Sequence, residues 1–261
     1  DTSGLERFEA SSAAVKLLWL GHASYLVEIH GIRCLIDPVY GRVGAFVKRF
    51  SEEPYRLEEL PEVHAVLNTH GHYDHLDTQT LRRCAAIWPD AHFVCPLGQG
   101  RDVPGECVDV LELDWWQRVR LGGMPLTLVP VQHWHRRGLN DHNKALWGGW
   151  VLDGRVFHAG DSGYCEAFSL LGELFDLDAA MLPVGAYEPR WFMKPQHMNP
   201  EEALQSFEDL GADIMAGMHW GTYDLTDEPL NEGARQVREL ARDRGVADRV
   251  HVPAPGGFVG L

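Results

Sequence analysis

Val63-His64-Ala65-Val66-Leu67-Asn68-Thr69-His70-Gly71-His72-Tyr73-Asp74-His75-Leu76-Asp77 is the stretch that decides the reading of this chain. Between His70 and His75 lie four side chains able to bind divalent metals, in the pattern H-x-H-x-D-H. The mostly apolar run from Val63 to Leu67 predicts a buried strand that ends at Asn68. A loop leaving a rigid strand end can aim several ligands at one point. Gly71 is expected to let the backbone turn sharply enough for the neighbouring imidazoles to converge. Two metals suit the spacing better than one, because His70 and His72 can face one way while Asp74 and His75 face the other. Ligand spacing this dense points to a metal centre rather than a solvated histidine-rich loop.

The composition sets the frame. With 261 residues, 45% of them hydrophobic, and 9 Trp and 10 Phe, the chain can bury one large core or two fused halves. A formal net charge of -15 argues against a nucleic-acid partner, and against adsorption to anionic lipid by overall charge alone. No apolar run reaches the roughly 18 residues of a transmembrane helix. Cys34, Cys84, Cys95, Cys107 and Cys165 are odd in number and lack C-x-x-C spacing, so they read as free thiols in a reducing compartment. Asp1 rather than Met opens the chain, which implies sequence upstream and leaves room for a leader or anchor.

Residues 1–14 read as a terminal arm and 15–261 as a single domain. Strands are predicted over Val15–Leu20, Ser24–Ile29 and Ile32–Ile36, and a surface excursion over Tyr40–Glu62. A helix should follow the metal loop from Asp77 to Trp88. Further strands are expected at His92–Cys95, Cys107–Leu111, Arg118–Leu121 and Leu126–Val131. Leu146–Leu152 and Arg155–His158 should form a hairpin through Asp153-Gly154. Then come a helix at Leu170–Phe175, a strand at Ala179–Pro183, and a helix capped by Asn199 with Pro200 in its first turn and Gly211 at its end. A strand at Asp213–Gly217, a helix at Glu228–Asp243 and a strand at Arg249–Val252 complete the chain. Paired strands with helices outside predict two β-sheets packed face to face, each covered by helices.

Three more strands end in a ligand residue. Leu126–Val131 leads to His133, Val156–Ala159 to Asp161, and Ile214–Met218 to His219. With these positions the chain resembles the metallo-β-lactamase superfamily, whose ordered signature is H-x-H-x-D-H, then His, Asp and His. More narrowly it is similar to the N-acylphosphatidylethanolamine-hydrolysing phospholipase D family. That resemblance lies in Trp19-Leu20-Gly21-His22-Ala23-Ser24, in Pro130–Trp134, in Asp141–Gly148, in Ala159–Tyr164, in Gly185–Met193 and in His219-Trp220-Gly221-Thr222. It departs in one respect: the lipid-hydrolysing members carry a longer amino-terminal region than the residues before Val15.

The resemblance implies an α/β fold, an αββα four-layer sandwich, with His70, His72 and His133 on one metal. Asp74, His75 and His219 would hold the other, with Asp161 bridging. Imidazoles and carboxylates without cysteine suit two Zn2+ per chain, and the same ligands also take Fe or Mn. Two divalent ions, less Asp74, Asp161 and one hydroxide, leave about +1 in the cleft, which matches a phosphodiester monoanion. The implied function is phosphodiester hydrolysis of the phospholipase D type, releasing N-acylethanolamine from a phospholipid. The second reading is a lactonase or small-molecule phosphodiesterase like the cytoplasmic sugar-phosphate lactonases, and the third a non-catalytic metal-holding scaffold.

Asp74 and Asp161 are expected to act in catalysis, together with His197, which would contact the phosphate or protonate the leaving oxygen. Gln196, Tyr187, Trp191 and Phe192 are expected at the substrate, with Trp134 and Met193 helping to line an acyl groove. Arg190 and Lys194 are candidates for a second substrate charge, and His22 for a supporting place behind the ligands. His135, His142 and His158 match no ligand position. The expected partner is a phospholipid or other small anionic diester. The expected location is cytoplasmic or peripheral to a membrane, and a homodimer is compatible with the reading.

Overall fold

In the computed structural model, which describes residues 3–44 and 47–261, the alternation of strand and helix closes into two seven-stranded sheets. The first sheet takes the chain in order: β1 (Val15–Gly21), β2 (Ser24–Ile29), β3 (Ile32–Ile36), β4 (Ala65–Leu67), β5 (His92–Pro96) and β6 (Val110–Leu113). The second takes β7 (Arg118–Leu121), β8 (Met124–Val129), β9 (Gly149–Leu152), β10 (Val156–His158), β11 (Ala179–Pro183), β12 (Ile214–Met218) and β13 (Val250–His251). A last strand, β14 (Phe258–Gly260), returns to pair with β1 at the edge of the first sheet.

Each sheet begins as an antiparallel meander and continues as a parallel run. β1, β2 and β3 are joined by tight turns, whereas β3 to β6 are parallel and need crossovers. β7 to β10 repeat the meander, and β10 to β13 repeat the parallel run. The helices are α1 (Gly4–Ala10), α2 (Thr78–Ile87), α3 (Ala167–Leu174), the single turn α4 (Arg190–Met193), α5 (Pro200–Leu210) and α6 (Glu232–Asp243). The core between the sheets includes Trp19, Tyr25, Val27, Leu126, Leu128, Trp150 and Phe157, all essentially inaccessible to water. The architecture is the α/β sandwich of metallo-β-lactamase type that the sequence implied.

Several elements differ from expectation. The strand placed at Cys107–Leu111 begins three residues later, because Cys107 turns inward instead and packs with Leu81 and Cys84. The terminal arm carries α1, whose Phe8 is buried against Phe258 of β14. Both elements are too short for hydrophobic periodicity to reveal them. Gly71 does not adopt a left-handed backbone. What it supplies is space, since a Cβ there would stand 2.2 Å from Cε1 of the buried His135 ring.

The parallel order fixes where chemistry can sit. β3 and β4 run the same way, so Asp37 and His70, just past their ends, emerge together. β10, β11 and β12 likewise deliver Asp161, the Gly185 loop and His219 to one end of the sandwich. The loop after β11 is anchored by α5. Asn199 accepts from Glu202 N at 2.9 Å, Glu202 accepts from Asn199 N at 3.1 Å, and the helix stops at Gly211 with φ 64°. Asn199→Ala removes one arm of this reciprocal cap and is expected to cost about 1 kcal/mol in urea unfolding, with an unchanged m-value. A loss within experimental error would mean that the cap is idle.

Candidate metal centre

Three overlapping groups of donor atoms meet at this end of the sandwich, and in each the atoms lie within 4.8 Å of one another. The first is His70, His72, His133 and Asp161; the second is Asp74, His75 and His219 together with His22; the third joins His197 to Asp161 and His219. In the first, His72 Nδ1 is 2.9 Å from His70 Nε2 and 3.2 Å from His133 Nε2. Asp161 Oδ2 is 3.8 Å from His70 Nε2 and 3.9 Å from His133 Nε2. In the second, Asp74 Oδ2 is 3.7 Å from His75 Nε2 and 3.5 Å from His219 Nε2. Asp161 reaches this group too, at 3.1 Å from His75 and 3.0 Å from His219.

These distances fit a cation. Ligands about 2.0–2.1 Å from a tetrahedral ion stand roughly 3.4 Å apart, within the observed spread. The unsatisfied atoms agree: His75 Nε2, His219 Nε2 and Asp161 Oδ1 are buried without a hydrogen bond. His219 Nε2 and Asp161 Oδ1 are close yet do not bond, as expected of atoms aimed at a common third point. Such groups are costly to bury unless something answers them.

The rings are aimed from behind. His75 Nδ1–H donates to Asp37 Oδ2 at 2.7 Å, and His133 Nδ1–H donates to the Gln196 carbonyl at 3.1 Å. Thr69 donates its hydroxyl to Asp37 at 2.6 Å, leaving its oxygen to accept from His70 Nδ1 at 3.0 Å. All three contacts present Nε2 to the centre, the second layer of support that metal-binding histidines need. Sequence reading missed Asp37, although Ile36-Asp37-Pro38 follows the strand-then-ligand pattern used elsewhere. His22 stands behind Asp74 at 2.9 Å, and its ring lies 3.9 Å from that of His219. His22, Asp37, Ala186 and His219 all carry positive φ, at 53°, 43°, 61° and 62°. Each such position costs about 1–3 kcal/mol, strain that the surrounding fold must hold in place.

Burial, and then the neighbouring imidazoles, push the His70 ring well below its usual range. Burial does the same to His133 and takes His72 to about 4. At His75 and His219 burial is outweighed by Asp161 and Asp74, which hold the first well above the usual range and the second at about 9. Against their own burial, Asp74 and Asp161 stay well below the usual carboxylate range, held chiefly by His75 and His219. The centre therefore has neutral imidazoles with free lone pairs on one side and a field that attracts positive charge on the other.

A cavity of about 310 Å³ opens over these groups. Asp74, Asp161, His72, His197 and His219 line it together with Val43, Trp134, Phe192, Met193 and Leu225. Of the residues expected at the substrate, Gln196 and Phe192 face this space. Tyr187 does not: it is buried beneath the loop, with its hydroxyl unpartnered. Nor does Trp191, which is 84% exposed and lies outside the cavity. Arg190 is not a free substrate charge either, because its guanidinium donates to the Tyr187 and His197 carbonyls and to Glu202. His197 brings Nε2 to 3.9 Å from Asp161, its Nδ1 is buried without a partner, and burial lowers its pKa to about 4. His158 is a satisfied core residue that donates to the Ala23 carbonyl and accepts from Gly160 N.

Asp37→Asn tests the support behind His75. Metal affinity is expected to fall 10–100-fold in chelator competition while far-ultraviolet circular dichroism stays unchanged. Unaltered affinity would show that Asp37 does not support His75.

Comparison with known proteins places this geometry in a family. The family model of the β-lactamase superfamily domain matches residues 32–220. The chain is 37% identical over 252 residues to the N-acyl-phosphatidylethanolamine-hydrolyzing phospholipase D 1 of Caenorhabditis elegans, spanning 88% of this chain and 70% of that protein. It is 32% identical over 276 residues to the mitochondrial N-acyl-phosphatidylethanolamine-hydrolyzing phospholipase D of Saccharomyces cerevisiae, covering 97% of this chain but 58% of the yeast protein. Among solved structures, a metallo hydrolase from the hyperthermophilic archaeon Ignicoccus hospitalis superposes with a TM-score of 0.70 at 25% identity, over 95% of this chain and 98% of that one. The chain belongs to the β-lactamase superfamily and is a metal-dependent hydrolase.

Proposed function

We propose that residues 15–261 form one hydrolase domain that holds two zinc ions and cleaves a phosphodiester in the manner of a phospholipase D. On this reading it releases an N-acylethanolamine from an N-acylated ethanolamine phospholipid. The observation that carries the reading is the cavity over the centre: its floor is ionisable, and its walls at Val43, Trp134, Phe192, Met193 and Leu225 are apolar. A sugar-phosphate lactone would call for polar walls, so the lining favours the lipid reading over the lactonase one. The activity for which the worm and yeast relatives are named supports the same substrate class.

His70, His72, His133 and Asp161 would hold one ion, and Asp74, His75, His219 and Asp161 the other. Bound there, the ions supply the positive charge that polarises a phosphoryl group and acidifies a water molecule. The remaining work falls to the chain itself. Asp74, fixed by His22, lies at the cavity floor, where its carboxylate can accept a hydrogen bond from an attacking water and set its direction. The apolar walls exclude bulk water and strengthen every charge interaction below them. His197 has no carboxylate within hydrogen-bond reach to hold a proton on its ring, since Asp161 stands 3.9 Å away. It therefore serves as a neutral donor to a phosphoryl oxygen rather than as the acid for the leaving group. Gln196 fixes His133 through its backbone carbonyl and presents its side chain at the cavity wall.

Hydrolysis in ¹⁸O-water tests the bond that breaks. Attack on phosphorus with departure of the ethanolamide places the label in phosphatidic acid and none in the N-acylethanolamine. Release of diacylglycerol instead, or turnover of lactones alone, would overturn the assignment. His197→Ala is expected to keep its metal content and lose on the order of 10-fold in turnover. The loss should be equal on p-nitrophenyl and lipid leaving groups. Rate recovery confined to the activated substrate would show that His197 is the acid after all.

A further inference from the structure

Four rings turn Nε2 toward the centre, and three of them have the other nitrogen hydrogen-bonded: His70 to Thr69, His75 to Asp37 and His133 to the Gln196 carbonyl. His219 is the exception. The residue is 2% exposed, and its Nδ1 is buried without a hydrogen bond. When Nε2 binds a cation, Nδ1 must carry the hydrogen of the ring. A buried donor left unanswered is costly, and an unanswered ring is poorly aimed.

His219 also lines a second, much smaller cavity, of about 20 Å³, together with His22, Trp220 and Glu228. Such a space has room for one water molecule and for nothing larger. Trp220 carries another unanswered donor, its indole Nε1, which is likewise buried without a hydrogen bond. Glu228 supplies an acceptor. Its Oε1 takes the Ala186 and Tyr187 amides, whereas Oε2 takes the Glu188 amide alone, at 3.0 Å, and so can accept once more. Glycines keep the space open. A Cβ at Gly185 would collide with the His219 carbonyl and one at Gly233 with the Val184 carbonyl, and both glycines line the cavity. Two buried donors and one carboxylate around a volume of one water have the composition of a hydration site.

We propose that one water molecule occupies this cavity, accepts from His219 Nδ1–H and Trp220 Nε1–H, and donates to Glu228. Glu228, water and His219 then form the counterpart of the direct contact between Asp37 and His75, with a water inserted between carboxylate and ring. Glu228 becomes a positioning residue: besides bracing the loop at 186–188, it sets the direction of His219. A ring held through an exchangeable water is less firmly aimed than one held by a carboxylate. The ion among Asp74, His75 and His219 is therefore the first to leave. The proposal is independent of the substrate and rests on the metal reading only in making His219 a ligand.

Crystals of the zinc-loaded full chain test it, with solvent density read in the small cavity and anomalous maps read at the centre. An ordered water is expected within about 3.2 Å of His219 Nδ1, Trp220 Nε1 and Glu228 Oε2. Zinc on His219 beside a dry cavity would overturn the proposal and leave the metal centre intact, whereas absence of zinc from His219 would overturn both. Trp220→Phe removes one donor to the water and keeps a ring to stack on Trp19. In chelator-soaked crystals of this variant, the ion at Asp74, His75 and His219 should be lost about 10-fold more readily than in the parent. The ion at His70, His72 and His133 should be held as before, which controls for folding. Equal weakening of both ions, or of neither, would show that the water does not support His219.

Discussion

The buried carboxylate of Asp161 couples the two halves of the centre. Its carboxylate is buried at the end of β10 and lies within 4 Å of ring nitrogens from both donor groups. A charge so placed is tolerable only if positive charge meets it, because breaking a buried pair leaves a penalty of about 3–5 kcal/mol. Asp161 and Asp74 favour the protonated rings of His75 and His219 against their burial, and divalent cations would meet the same demand better. The parallel halves of the two sheets bring β4, β10 and β12 to one end with a carboxylate between them, and β8 of the antiparallel meander leads His133 to the same end.

A floor set by strand ends and a rim built from separately anchored loops follow from the same topology. Ligands leave strand ends directly, and Asp37, Thr69 and the Gln196 carbonyl fix their rings. The cavity walls instead come from loops that need their own anchors. Glu228 accepts from the Ala186, Tyr187 and Glu188 amides. Arg190 ties the two ends of the same loop to Glu202, which also closes the cap of α5. On the proposed function, substrate selection would reside in these braced loops and the chemistry at the sheet ends. A change of wall residues can alter which ester enters without moving the metal ligands.

The residues that converge at the centre were legible in the sequence because their spacing is local or their setting repeats. H-x-H-x-D-H is dense enough to read directly, and His133, Asp161 and His219 each follow an apolar strand. Asp37 follows one too, but a lone aspartate before proline is common in turns and carries no ligand pattern of its own. Gly71 looked like a turn residue, and only the His135 ring packed against it reveals the steric reason. Tyr187 and Trp191 sit in the same segment as Phe192, and sequence cannot say which neighbours on one loop point inward. Arg190 looked like a substrate contact because its carbonyl partners are backbone atoms, invisible in any motif. β14 and α1 were too short to show a period, and they gain their stability from packing on each other and on β1.

The shared position of Asp161 makes a definite statement about occupancy. An anomalous difference map collected at the zinc edge on crystals of zinc-reconstituted protein measures it directly. Two peaks flanking Asp161 are expected, one bounded by His70, His72 and His133, the other by Asp74, His75 and His219. A single peak, or a peak coordinated by other residues while Asp161 points away, would contradict it.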